Sequence, residues 1–331
     1  MSVLVTGGAG YIGSHMVHAL VDRGESVVVL DNMTTGYRPN LSDKANLVIG
    51  DIGDQILVEK VMREHDVDAI VHFAGSIVVP DSVSDPLGYY ANNTVKSRTL
   101  MAAAVNCGVK IFIFSSTAAV YGMPETEMLA EDVPLAPISP YGTSKLMTEM
   151  MLADTAKAHD FRYTALRYFN VAGADPEGRS GQSSPRATHL IKVASQAALG
   201  QRDYLEIFGT DFDTRDGTGV RDYIHVSDLI AAHVLALDRL RSGADSLVAN
   251  CGYGRGYTVR EVIDAVKRVS EVDFEVRETG RRAGDPAALI AIADRARAEL
   301  GWVPSYDDLD VMVGHAFAWE TRMAGRNTPA S

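Results

Sequence analysis

The sequence predicts an α/β fold, a Rossmann-like doubly wound parallel sheet with a smaller, mixed α/β substrate-binding lobe. Two observations support this prediction. Short apolar segments alternate with helical stretches through the first half of the chain, which is typical of a parallel sheet with helices on both faces. The chain also opens with a strand, a glycine-rich turn, a helix, a second strand and an acidic residue, in the order found in dinucleotide-binding units.

The N-terminal segment contains every part of such a unit. A short apolar strand over 2–6 leads into the glycine turn 7–13, the amphipathic stretch 14–23 and a second apolar strand over 27–30. Glycines allow backbone N–H groups to approach a pyrophosphate at the start of the helix. Asp31 follows the second strand, where a carboxylate binds the ribose 2′-hydroxyl of NAD and would repel the 2′-phosphate of NADP.

A second candidate site lies at Tyr141 and Lys145, which are four residues apart and therefore share one face of a helix. Ser139 is a suitable N-cap and Pro140 suits the first helical position, so we predict that a helix begins here. An ammonium beside a phenol is expected to lower the phenol's pKa, and such a tyrosine is a general base for an alcohol. The pair alone is also compatible with a packed Tyr and a solvated Lys, but an adjacent hydride acceptor favours catalysis.

Composition excludes several functional classes. The chain of 331 residues has a formal net charge of −12, which argues against nucleic acid or an anionic membrane as a partner. Cys107 and Cys251 lack metal-ligand spacing and suit reduced thiols in a cytoplasmic protein. No His pair has the spacing of a metal site, so we expect no metal. We also expect neither a signal peptide nor a membrane span.

Composition changes after Gly173, where a stretch rich in Pro, Gly and Ser begins. We therefore predict an NAD-binding Rossmann domain over 1–173, to which a segment near 221–251 returns. Residues 174–331 are predicted to form mainly the substrate domain.

The spacing Gly7-x-x-Gly10-x-x-Gly13, combined with Tyr141-x-x-x-Lys145, resembles the extended short-chain dehydrogenase/reductase family. The match is closer still to the UDP-hexose 4-epimerases of that family. The segments that carry it are 5–15, 50–52, 72–75, 114–117, 120–122, 166–170 and 216–226. They run along nearly the whole chain, and the last is far more specific than the glycine turn.

The resemblance implies interconversion of UDP-glucose and UDP-galactose with tightly bound NAD. The sugar would be oxidised at C4 to a 4-keto sugar, rotated, and reduced on its opposite face. Tyr141, Lys145 and Thr117 would be the catalytic residues. Dehydratases of the same superfamily carry an Asp-Glu pair directly after this threonine, whereas Ala118 and Ala119 stand here, so dehydratase chemistry is not expected.

The resemblance also implies the binding residues. Those expected to bind the cofactor are Gly7, Gly10, Tyr11, Ile12, Gly13, Asp31, Asn32, Asp51, Ile52, Phe73, Ala74, Gly75, Asn92, Ser115, Tyr141, Lys145 and Phe169. Those expected to bind the substrate are Thr117, Tyr141, Asn170, His189, Leu190, Arg221, Arg282, Asp285 and Leu289. The chain departs from the family at Ile77, where a basic residue is frequent, and at His189, which replaces an Asn.

Three alternatives remain open at this stage. The protein could be a 4-epimerase of UDP-N-acetylhexosamines or UDP-pentoses, or a net oxidoreductase of sugar nucleotides. It could also be a non-catalytic NAD sensor. Leu289 occupies a position at which a Tyr in the family crowds the sugar C2 substituent, so we expect N-acetylated sugars to be poor substrates. The resemblance further implies a homodimer built on the helices that follow Tyr89 and Tyr141.

Overall fold

The computed structural model describes residues 1–184, 188–282 and 284–327. Its strands are β1 (Ser2–Thr6), β2 (Val27–Asp31), β3 (Asn46–Ile49), β4 (Val67–His72), β5 (Ile111–Ser115), β6 (Met128–Leu129), β7 (Arg162–Tyr168), β8 (Asn170–Ala172), β9 (Leu205–Phe208), β10 (Val220–His225), β11 (Leu247–Cys251), β12 (Gly256–Thr258), β13 (Val276–Thr279) and β14 (Ala288–Ala291). Its helices are α1 (Tyr11–Asp22), α2 (Gln55–Glu64), α3 (Val79–Ser84), α4 (Pro86–Tyr89), α5 (Lys96–Cys107), α6 (Pro140–Ala158), α7 (Leu190–Ala198), α8 (Val226–Arg241), α9 (Val259–Ser270), α10 (Asp294–Leu300) and α11 (Leu309–Asn327).

The main sheet has seven strands in the order β11-β7-β5-β4-β1-β2-β3, and all of its strand pairs are parallel. The strand order reverses between β1 and β4. In open α/β sheets, ligands bind at the carboxyl ends of the strands beside such a reversal. This sheet confirms the predicted fold class and places the glycine turn that follows β1 at the expected binding crevice.

The main sheet is buried on both faces. Along β1, Val3 and Val5 belong to one apolar cluster, and Leu4 between them belongs to another. Successive side chains of a strand point to opposite faces, so both faces are covered by helices. This is why the sequence shows near-continuous apolar runs here rather than alternation.

A second sheet has the order β12-β10-β14-β6, and β8 adds to β10; β9 and β13 form a separate pair. Strands β6 and β8 precede Gly173, whereas β11 of the main sheet follows it. The predicted return segment near 221–251 supplies β11 together with α8, which packs on α1. Each of the two larger sheets therefore contains strands from both halves of the chain, and the division at residue 173 stays a prediction.

The helix predicted at Ser139 begins as expected. The Ser139 Oγ accepts a hydrogen bond from the Gly142 N–H at 3.2 Å, and Pro140 is the first residue of α6. In the helical stretch that follows Tyr89, residues 90–95 form a π-helical segment between α4 and α5. Such π-turns frequently lie at functional sites. Among the described residues, no helix is both long and apolar enough to cross a membrane.

Candidate active site

The glycine turn lies against the loop that follows β4. Gly7 has a left-handed φ of +68°, and a Cβ at this position would lie 2.6 Å from the Ala74 nitrogen. A Cβ on Gly13 would overlap the Gly7 carbonyl oxygen. Gly7 and Gly13 therefore leave no room for side chains at these two positions, which allows an anionic group to approach the first turn of α1.

Asp31 closes this crevice at the end of β2. Its side chain is 8% exposed, and its two carboxylate oxygens accept hydrogen bonds from the backbone N–H groups of Ala9 at 2.9 Å and Met33 at 2.8 Å. These bonds fix the carboxylate next to the glycine turn, where a ribose hydroxyl could donate to its remaining lone pairs. The turn and Asp31 thus fit a dinucleotide, as the sequence predicts.

The predicted adenine end is built from the neighbouring strand ends. Asp51, after β3, accepts hydrogen bonds from the Gly53 N–H at 2.8 Å and from Lys96. It also contacts the side chain of Asn32. Ile52 is buried beside them. The structure thus brings together the predicted Asn32, Asp51 and Ile52, and adds Lys96, which the sequence did not suggest.

Tyr141, Lys145 and Thr117 converge at the end of β5. The Lys145 ammonium donates to the Ser115 carbonyl at 2.9 Å and lies 5.0 Å from the centroid of the Phe114 ring. Tyr141 is hydrogen-bonded to the Thr117 hydroxyl. Lys145 is 4% exposed, and among the described residues no carboxylate forms an ion pair with it.

The expected lowering of the Tyr141 pKa by Lys145 is wrong for the protein by itself. Burial raises the pKa of Tyr141, and only the hydrogen bond with Thr117 opposes this rise. The physical reason is that the Lys145 ammonium is directed to the Ser115 carbonyl, while the phenol has lost its water. Burial also lowers the pKa of Lys145 to about 8.

Residues after β4 complete the side of the crevice near Lys145. A Cβ on Gly75 would lie 3.8 Å from the Lys145 ammonium. In the π-helical segment, the Asn92 side chain donates to the Ser76 hydroxyl at 2.9 Å, and the side-chain Oδ1 of Asn93 accepts from the Ser76 N–H at 2.7 Å. Asn93 was missed by the sequence analysis. The adjacent pair Asn92-Asn93 was its only signal.

Three predicted cofactor residues direct their side chains elsewhere. The Tyr11 hydroxyl donates to the Gly173 carbonyl at 2.6 Å, and the Phe73 ring packs on His233 with centroids 5.0 Å apart. Ile12 packs against the apolar core. The backbone carbon of Phe73 lies 3.0 Å from a Cβ built on Gly7. Ser115 instead contacts the Tyr168 hydroxyl through its own hydroxyl, which adds Tyr168 to the site.

The second sheet carries the predicted substrate-binding arginine. Arg221 on β10 donates to the Val220 carbonyl at 2.8 Å, and among the described residues no carboxylate forms an ion pair with it. Burial lowers the pKa of Arg221, and the Asp285 carboxylate opposes that effect. A half-buried guanidinium without a paired anion is suited to a diphosphate. Leu289 pairs with Arg221 in register.

The other predicted substrate residues of this lobe lie on β8, on β14 and in the loop that precedes β14. Arg282 stacks on Phe208, with its guanidinium carbon 3.6 Å from the ring centroid, so Phe208 joins the candidate site. Asn170 pairs with Tyr223 of β10. Phe169 and Leu289 pack against one small apolar cluster that includes Ala118. Leu289 therefore packs against the apolar cluster to which Ala118, the residue after Thr117, belongs.

The last two predicted substrate residues, His189 and Leu190, begin α7. His189 contacts Gln182 at 3.4 Å, and burial lowers its pKa. Leu190 packs against the core. The structure does not show either side chain contacting Arg221. Residues 185–187 of this loop lie outside the described residues.

The fold and the site together define a Rossmann-type dinucleotide-binding protein with a Tyr-Lys pair at its binding crevice. The chain belongs to the NAD dependent epimerase/dehydratase family, whose model matches residues 3–252. NAD is the cofactor of this family, and the glycine turn and Asp31 fit it.

Similar proteins cover nearly the whole chain. A UDP-glucose 4-epimerase of Azospirillum brasilense is 58% identical over 318 residues, which cover 96% of this chain and 91% of that protein. The structure of UDP-glucose 4-epimerase from Brucella ovis in complex with NAD is 42% identical with a TM-score of 0.93, and the match covers 96% of this chain and 98% of that one. The UDP-Glc/GlcNAc 4-epimerase of Campylobacter jejuni is 47% identical with a TM-score of 0.85, over 97% and 99% of the two chains.

Proposed function

We propose that this protein is an NAD-dependent UDP-glucose 4-epimerase that interconverts UDP-glucose and UDP-galactose, a step of galactose metabolism. The observation that carries the proposal is the convergence of Tyr141, Thr117 and Lys145 at the edge of the sheet that also carries the glycine turn. Ala118 and Ala119 follow Thr117 and offer no acid or base for elimination. The site therefore supports alcohol oxidation and its reversal.

Tyr141 takes the proton of the sugar C4 hydroxyl, and Thr117 donates a hydrogen bond to the C4 oxygen. When bound, oxidised NAD supplies a cationic ring and the acceptor of the C4 hydride. The ammonium of Lys145 adds a second positive charge. A cation within about 4–6 Å favours a phenolate, and this would offset the effect of burial on Tyr141.

The substrate lobe holds the diphosphate while the sugar turns. Arg221 supplies the unpaired guanidinium, and Asp285 lies close enough to interact with it. Arg282, on the face of Phe208, provides a cation and an aromatic surface for the nucleotide. We assign Asn170, His189, Leu190 and Leu289 to the same substrate pocket. Firm binding through the UDP part would allow the oxidised sugar to rotate without leaving.

The mechanism can be tested with UDP-galactose that carries deuterium at C4. Tyr141 moves only the hydroxyl proton, so the deuterium should remain at C4 of the UDP-glucose product when the purified protein acts without added cofactor. NMR or mass spectrometry of the product reports the label. Loss of the deuterium to solvent would refute the mechanism and indicate direct deprotonation of the carbon.

We also propose a cytoplasmic homodimer. On α6, Met147 and Met150 are 41% and 59% exposed, and Met151, which follows Met150, lines a groove of about 460 Å³ together with Met101 and Val105 of α5. Exposed apolar patches of this kind mark interfaces. Sedimentation of the parent and of Met150→Glu tests the dimer, which only the parent should form. The free thiols of Cys107 and Cys251 fit a reducing compartment.

A further inference from the structure

A buried ion pair lies directly behind the candidate catalytic residues. Glu149 follows Lys145 by four residues on α6, and its carboxylate accepts hydrogen bonds from Arg167 of β7, from Nε at 3.0 Å and 3.3 Å and from Nη2 at 2.6 Å. The two side chains are only 6% and 5% exposed. Arg167 also donates to the Tyr121 hydroxyl at 3.1 Å.

The same carboxylate holds the turn that presents the catalytic threonine. The Ser116 hydroxyl donates to Glu149, and Ser116 is 1% exposed. Its neighbours are Ser115, whose carbonyl accepts from Lys145, and Thr117, whose hydroxyl contacts Tyr141. One carboxylate thus anchors the middle residue of a three-residue turn whose outer residues contact Lys145 and Tyr141.

We propose that Glu149 is a positioning residue of the reaction: its carboxylate fixes the turn 115–117 and places a negative charge one helical turn from Lys145. The inference rests on the proposed function. Glu149 supports the charge of Lys145 because a negative charge nearby favours an ammonium that burial would otherwise neutralise. A structural ion pair alone would stabilise the fold without any effect on the ionisation of Lys145.

Few other charges compete for Lys145. On α6 it is accompanied by Tyr141 and Glu149. His72 of β4 interacts with it, but burial lowers the pKa of His72 to about 3, so this imidazole is neutral at working pH. From β7 come Arg167, which is paired with Glu149, and Tyr168, whose pKa burial raises. Tyr89 of α4 interacts with Tyr141. Glu149 is therefore the anion that acts on Lys145.

The test measures kcat for UDP-galactose from about pH 6 to 10 with Glu149→Gln, Glu149→Asp and Ser116→Ala. Glu149→Gln removes the charge, so the alkaline limb of kcat should move to lower pH by about one unit. Glu149→Asp keeps the charge and should leave that limb in place. Ser116→Ala removes only the anchor of the turn, so kcat should fall about 10-fold or more with no displacement of the limb.

Two further variants separate this role from loss of stability. Glu149→Gln/Arg167→Gln removes both charges, so it leaves none buried and unpaired, and the limb should still move to lower pH than in the parent, although less than in Glu149→Gln, in which the Arg167 cation remains. Glu320→Gln breaks the equally buried pair between Lys192 and Glu320 elsewhere in the chain and should not move the limb. Any one of three results would overturn the proposal: an alkaline limb of kcat that does not move in Glu149→Gln, a limb that moves equally in Glu320→Gln, or a parental kcat in Ser116→Ala. Absence of turnover in the parent would instead overturn the proposed function.

Discussion

Gly7→Ala should release the cofactor and destabilise the fold. Gly24→Ala should retain the cofactor and lose less stability. Both glycines have left-handed φ angles, +68° and +79°, and an alanine in that region costs about 1–2 kcal/mol. A Cβ on Gly24 would meet nothing within 4 Å. A Cβ on Gly7 would lie 2.6 Å and 2.8 Å from the backbone of Ala74, an overlap that costs roughly a further 1–3 kcal/mol.

The total for Gly7→Ala is therefore roughly 2–5 kcal/mol, against about 1–2 kcal/mol for the control. Urea unfolding gives the two free energies, and release of NAD by denaturation of the purified variants gives the cofactor content. Because relief of the overlap moves the turn or the Ala74 loop, Gly7→Ala should purify with little NAD while Gly24→Ala retains it. Equal stability loss and equal NAD content in both variants would refute the close approach as the reason for glycine.

Four other predictions concern catalysis, specificity and pH. Tyr141→Phe should keep fold and NAD but lose activity by roughly 10²–10⁴-fold, and near-parental turnover of UDP-galactose would remove Tyr141 as the base. Thr117→Val should cost more activity than Thr117→Ala, in which a water can replace the hydroxyl; negligible loss of kcat in both would exclude Thr117. Leu289→Ala should raise the rate on UDP-N-acetylglucosamine relative to that on UDP-glucose, because the side chain limits the room at the sugar C2. Leu289→Tyr should abolish turnover of UDP-N-acetylglucosamine. An unchanged ratio of the two rates in both variants would mean that Leu289 does not face the sugar. Between about pH 6.5 and 4 the free energy of unfolding should fall as pH falls, by up to about 1.4 kcal/mol per pH unit for each imidazole that burial keeps neutral. The pKa values of these groups are lowered in the fold to about 3 for His72 and His225 and about 4 for His15 and His233. Urea unfolding across this range measures the slope, and a flat profile would contradict the burial.

Local sequence patterns predicted those parts of the site that are formed by residues close together in the sequence. The strand, glycine turn and Asp31 lie within one short stretch, and the Ser139 cap and Pro140 define the start of α6 locally. For these elements, backbone geometry follows from neighbouring residue types, so the structure confirms the predicted strands and helix start.

The parts that were missed depend on contacts between distant segments. The π-helical turn that brings Asn93 to Ser76, and the stacking of Arg282 on Phe208, join residues that are far apart in sequence. The Tyr141 pKa shows the same limit, because spacing places a lysine nearby but does not show that its ammonium is bound to the Ser115 carbonyl. The burial of a side chain and its direction are determined by the packing of all helices and strands, which local sequence patterns do not show.

The exchange of strands between the two halves of the chain has a consequence for synthesis on the ribosome. Strand β7 obtains its outer neighbour only when β11, which ends at Cys251, has emerged, and β8 stays without its partner until β10 has done so. Until then a nascent chain that already contains Tyr141 and Lys145 exposes an unpaired parallel edge. Such edges template aggregation, so folding should be completed late in translation and chaperones should engage the chain before that point.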